Sequence, residues 1–102
     1  MRLMVFFDLP IETAAQRKNY RQFRKFLIKD GYLMMQKSVY SKMVLDGQSA
    51  EAAIVRLKKK KPNMGLVQVL RVTEKQYAAI VEIVGNKLEH DELDDSKRLV
   101  IL

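Results

Sequence analysis

The chain opens on a short arginine-bearing start and then a continuous apolar run, Leu3 to Phe7, that ends in Asp8-Leu9-Pro10. Unbroken apolarity over so short a run predicts a central strand, buried on both faces. Thr13-Ala14-Ala15-Gln16 has the form of a capping box, in which Thr13 caps a helix and Gln16 reaches back to it. That helix is expected to run to about Lys29 and to stop before Asp30-Gly31. Two strands follow, Tyr32 to Gln36 and Ser38 to Leu45, joined by a tight hairpin at Gln36-Lys37. In the second, Val39, Met43 and Leu45 share one side, and Tyr40, Lys42 and Val44 the other.

Asp46-Gly47 signals a turn, and Ser49 is placed to cap a second helix reaching about Lys61. Ala50, Ala53, Ile54 and Leu57 give that helix an apolar stripe, and Pro62 stops it. Leu66 to Val72 reads as a strand. Thr73-Glu74-Lys75-Gln76 is a second capping box, opening a short helical turn. Ile80 to Val84 is expected to form a further strand, because four of its five residues are Ile or Val. Asn86 to Ser96 is polar and acidic, and Arg98 to Leu102 closes the chain on an apolar run.

The resulting order is strand, helix, strand, strand, helix, strand. It predicts an α+β protein of ferredoxin-like βαββαβ topology, with an antiparallel sheet and both helices on one face. The domain is expected over residues 1–85, with an acidic linker and C-terminal strand over 86–102. The apolar first strand says that the second sheet face is not wet. A second copy of the chain is the simplest cover, with the late strands pairing across a homodimer.

Composition narrows the class. A chain of 102 residues holds one domain. It lacks cysteine, which excludes disulfides and thiolate metal sites and suits a reducing compartment. No apolar run is long enough to span a membrane, and the apolar opening is too short for a secretory signal. The chain is therefore expected in the cytoplasm. Its net charge is +7, which points to a polyanionic partner. The charge is uneven. Residues up to Val81 include 16 basic and 6 acidic side chains (net +10); those from Glu82 include 3 basic and 6 acidic (net −3).

The first helix concentrates the positive charge. Arg17, Lys18, Arg21, Arg24, Lys25 and Lys29 fall within an arc of about 140°, while Tyr20, Phe23, Phe26 and Leu27 fill another of about 120°. No acid lies among the six. Like-charge neighbours on a helix repel, and phosphates relieve that repulsion. A merely solubilising face would carry the same residues, but single-sign runs usually mark interaction surfaces. Lys58, Lys59, Lys60 and Lys61 are a second candidate for phosphate contact, although a helix C-terminus favours cations in any case. Neither patch interleaves aromatics for stacking bases, so the backbone of a duplex is the expected ligand. The hydroxyls of Ser38 and Tyr40 could also touch phosphate.

Asp8 is the sharp catalytic candidate, at the end of a buried strand. On the residues alone it reads first as a turn cap. Two Asp8 carboxylates brought together by a two-fold axis could hold magnesium against a phosphodiester. Other constellations are absent: His90 is isolated in the acidic stretch, and no Walker loop or nucleophile elbow occurs.

Several motifs jointly resemble one family. They are Phe7-Asp8-Leu9-Pro10, the helix bearing Arg17, Tyr20, Arg21 and Arg24, Gly31-Tyr32, and Gln36-Lys37-Ser38-Val39-Tyr40. Thr73-Glu74-Lys75-Gln76-Tyr77 and the terminal Arg98-Leu99-Val100-Ile101-Leu102 complete the set. The chain resembles the small, non-integrase subunit of CRISPR spacer acquisition, and most of all its type two members. The resemblance implies a homodimer that bridges integrase dimers along captured double-stranded DNA, with Arg98 to Leu102 docking the partner protomer or the integrase. It also implies an alternative, since some relatives are described as magnesium-dependent nucleases acting on RNA or DNA, and Asp8 matches their metal-binding aspartate. The scaffold is the favoured expectation. A ribonuclease toxin of the same architecture is a further alternative. An RNA-recognition domain fits less well, because Ser38 to Leu45 lacks that module's aromatic spacing.

Overall fold

Alternating burial along the first strand organises the molecule. In a computed structural model that describes residues 1–85, Leu3, Val5 and Phe7 point into a core shared with two helices, while Met4, Phe6 and Asp8 take the opposite face. The elements are β1 (Arg2–Asp8), α1 (Ala14–Lys29), β2 (Leu33–Gln36), β3 (Val39–Met43), α2 (Gly47–Lys60), β4 (Leu66–Val72) and α3 (Glu74–Ala78). The strands form one antiparallel sheet in the order β2-β3-β1-β4, so β1 is central as its apolarity requires. This is the expected ferredoxin-like arrangement.

Phe23 and Leu27 of α1 and Ala50, Ala53 and Leu57 of α2 bury their stripes against β1. Phe7 is the hub of the aromatic packing. Its ring meets Phe23 edge-on at 5.3 Å, Tyr20 at 5.9 Å and Tyr40 at 5.6 Å between centroids. Both predicted capping boxes form, at Thr13 with Gln16 and at Thr73 with Gln76. Gly31 ends α1 with a φ of +99°, a left-handed conformation that any side chain would strain. Asp30 then ties three elements together, accepting from Lys42 of β3 and from Arg56 of α2 at 3.0 Å. At the other end of β1, Arg2 donates to Glu74 at 3.1 Å and lies 4.1 Å from the centre of the Tyr77 ring, which holds α3 in place.

Three expectations are corrected. Asp46, not Ser49, caps α2: its carboxylate accepts from the Ser49 backbone N–H at 2.8 Å, and these bonds hold its pKa below the usual carboxylate range. Tyr32 precedes β2 and enters the core instead of the sheet. Ile80 to Val84 forms no strand; Ile80, Val81, Ile83 and Val84 are 47–89 % exposed. β-branched residues favour a strand only where a sheet edge and a packed face are on offer, and this segment has neither within the described residues. The expected acidic linker and the strand at Arg98 to Leu102 lie outside the described residues.

Tyr32 gives a pH prediction. Its hydroxyl is buried with no hydrogen-bond partner. Burial first, and the Asp30 carboxylate second, push its pKa from 10.0 up to about 12, with Arg56 opposing. The folded chain therefore keeps a proton that the unfolded chain releases near pH 10. This group's contribution is complete below about pH 10 and is lost as pH rises toward 12, by about 2 kcal/mol. Tyr32→Phe removes an unsatisfied buried group, so it should be at least as stable as the parent near pH 7 and decline less in alkali. Urea midpoints of both proteins at pH 7 and pH 11 check this, and parallel declines would refute it.

Candidate nucleic-acid interface

Helix geometry divides the basic residues of α1 by type. Arg17, Arg21 and Arg24 stack along one line, and Lys18, Lys25 and Lys29 along another, about 100° around the helix. None of the six makes an ion pair among the described residues, where the salt bridges engage the N-terminus, Arg2, Lys42, Arg56 and Arg71 instead. The repulsion visible in the sequence is thus not relieved by acids of the described residues.

The arginine row lies against the β2–β3 hairpin. Arg17 donates to the carbonyls of Ile11 and Glu12 at 3.2 and 3.1 Å, which braces the β1–α1 loop. Arg24 donates to the hydroxyl of Tyr40 at 3.0 Å. Tyr40 is 0 % exposed, so the expectation that it touches phosphate is corrected: it is a core residue whose hydroxyl is satisfied by Arg24. Arg24 correspondingly spends one donor inward, while Arg21 makes no hydrogen bond of this kind. Lys58 and Lys59 are exposed near the end of α2.

Asp8 and the arginine row share a cleft of about 500 Å³, where Asp8, Arg17, Tyr20, Arg21, Lys37 and Ser38 meet. The Tyr20 hydroxyl donates to the Lys37 carbonyl at 3.3 Å, and the Phe7 N–H donates to the Ser38 carbonyl at 3.0 Å. The hairpin is therefore pinned to α1 and β1 on either side of Asp8. A second recess of about 200 Å³ joins Asp8 and Ser38 to Phe6, Val39 and Gln68 on the open sheet face. Asp8 stands at the border between a cationic cleft and that face. Gly65 closes behind it with a φ of +92°; a Cβ there would come within 2.6 Å of the Asp8 carbonyl, so only glycine fits.

This environment favours an anion beside Asp8, held by guanidinium forks and an ammonium. Asp8 supplies one carboxylate, and no group of three or more His, Cys, Asp or Glu residues converges among the described residues. Magnesium commonly takes one or two carboxylates together with water and phosphate, so the donor set fits that ion only with a second copy's carboxylate or with the substrate itself. Lys37 was not singled out from the sequence. Its position inside the hairpin link, beside Ser38, is the signal that marks it.

Among the described residues, no helix is long and apolar enough to cross a membrane. The pattern of a family described as CRISPR associated protein Cas2 matches residues 1–80. A Treponema denticola protein named CRISPR-associated endoribonuclease Cas2 is 52% identical over 103 residues, covering all of both chains. A Streptococcus mutans protein of the same name is 45% identical over 102 residues, covering 100% of this chain and 93% of that one. A crystal structure of Streptococcus pyogenes Cas2 superposes with a TM-score of 0.63 over 83% of this chain and 100% of that one, at 23% identity, which speaks for the fold. Fold and sequence match thus agree, and the chain belongs to the CRISPR-associated Cas2 family, the small spacer-acquisition subunit that its motifs resemble.

Proposed function

We propose that the chain acts in CRISPR adaptation as a homodimeric DNA-binding scaffold, bridging integrase dimers while new spacers are added to the array. The observation that carries this reading is the arginine row: Arg17 and Arg21 lack a carboxylate partner among the described residues and open onto a cleft with Lys37 and Ser38. Lys18, Lys58 and Lys59 would extend the contact to neighbouring phosphates. Such contacts position a duplex without reading its sequence. The homodimer is supported by the sheet face away from the helices. Leu66 and Leu70 are 54 % and 52 % exposed there, next to Met4, Phe6 and Met43. Arg98 to Leu102 would dock the partner protomer or the integrase.

A second reading has its own support. Asp8 lines the cleft that holds the arginines, and the relatives carry endoribonuclease names. In this reading Asp8 from each of two copies would hold magnesium, which when bound would supply charge to polarise a phosphodiester. Arg17, Arg21 and Lys37 would bind the substrate phosphate and orient it toward Asp8. The family match favours both CRISPR readings over a ribonuclease toxin of the same fold.

Asp8→Ala separates the two. The scaffold reading expects spacer integration in a reconstituted reaction with the integrase to continue at the parental rate, with any RNA or DNA cleavage lost. Loss of integration while duplex binding persists would overturn it.

A further inference from the structure

The lysine row of α1 faces a surface of its own. Lys25 and Lys29 meet Lys60, the last residue of α2, and Lys61, its C-cap, across a groove of about 820 Å³ between α1 and the segment that leaves α2. None of these lysines makes an ion pair among the described residues. The one carboxylate in the groove wall, Asp30, is already engaged by Lys42 and Arg56. From Asn19 to Asp30 the groove follows α1 for about 16 Å, enough for about five residues of extended chain.

Its floor argues against a phosphodiester strand. Single-strand platforms stack successive bases on open aromatic faces. Here Phe23 is 2 % exposed, and the half-buried Phe26 ring is stacked against it at 6.4 Å. The floor offers an apolar strip, completed by Pro62, without a ring face for each base. The amides of Asn19, Gln22 and Asn63 stand along the same groove. Each both donates and accepts, which a peptide backbone can answer and a phosphate backbone, having acceptors alone, cannot.

We propose that this groove docks an acidic peptide segment of a partner protein. Carboxylates would meet the four ammonium groups, one large apolar side chain would cover Phe26 and Pro62, and peptide groups would pair with the amides. The cationic surface would then be divided, with DNA on the arginine row and a protein segment on the lysine groove. This assignment departs from the expectation that Lys25, Lys29, Lys60 and Lys61 contact nucleic acid, and it does not depend on the DNA reading.

The test is fluorescence anisotropy on the full chain with a fluorescein-labelled five-residue peptide of two aspartates, a central phenylalanine and two glutamates. Lys25→Glu with Lys60→Glu should weaken binding by about tenfold or more, whereas Arg17→Glu with Arg21→Glu should leave it unchanged. Replacing the central phenylalanine by alanine in the peptide should cost about tenfold. Circular dichroism confirms that each variant is folded, and Lys25→Gln with Lys60→Gln, a milder pair, replaces any that is not. No peptide binding, or binding indifferent to the lysine substitutions, would overturn the proposal. So would a five-nucleotide single strand that binds more tightly than the peptide and is lost with the same lysines.

Discussion

Arg17→Glu combined with Arg21→Glu is expected to reduce duplex DNA binding by about a hundredfold or more at low salt. In the proposed contact each arginine would contribute a charge-assisted hydrogen bond, of about 1.5–3 kcal/mol, and two such losses exceed the 2.7 kcal/mol or so that a hundredfold represents. Reversal adds repulsion from the phosphates. The salt dependence carries a second signature. Each phosphate neutralised steepens the log–log slope by about 0.9, so the double variant should flatten it by about 1.8 per protomer. Arg24 is left out of the variant because its guanidinium satisfies the buried Tyr40 hydroxyl at 3.0 Å, and reversing it would disturb the core. Electrophoretic mobility shifts over a salt series read both quantities. An unchanged affinity and slope would remove the arginine row as the DNA-binding surface.

Leu66→Asp with Leu70→Asp is expected to convert the proposed dimer to a monomer. Both leucines are about half exposed in the single chain, so the substitutions leave the protomer's own core intact. In a dimer packed through this face they would become buried carboxylates. Burying an unpaired charge costs several kcal/mol, and about 4 kcal/mol already weakens association about a thousandfold. Sedimentation velocity at micromolar concentration, with thermal melting of the monomer as the folding control, measures the outcome. A variant that remains dimeric would show that two copies associate through some other surface.

The legible part of this protein is what depends on local pattern. A five-residue apolar run, two capping boxes and Gly31 were enough to place β1, α1 and the α3 turn, because backbone preference and periodicity act over a few residues. Ser49 was the plausible cap of α2, but the helix begins earlier, at Gly47, which makes Asp46 the N-cap and leaves Ser49 in the first turn as the donor whose N–H the Asp46 carboxylate accepts. Ile80 to Val84 misled because strand propensity presupposes a neighbouring edge, and a sequence does not say whether one is available.

The candidate site divides the same way. Charge periodicity by itself determined that α1 carries an unbalanced cationic face, and the apolar strand ending in Asp8 marked a strand-end carboxylate. Only tertiary packing decided which of those groups meet. The hairpin pinned by Tyr20 and Phe7 brings Lys37 and Ser38 to Asp8 and the arginines, while the approach of α2 sets Lys60 and Lys61 against Lys25 and Lys29. It also withdrew Tyr40 into the core. Helical spacing is a property of neighbours along the chain, whereas a cleft is made by segments far apart in it, whose separation is set by how the core packs.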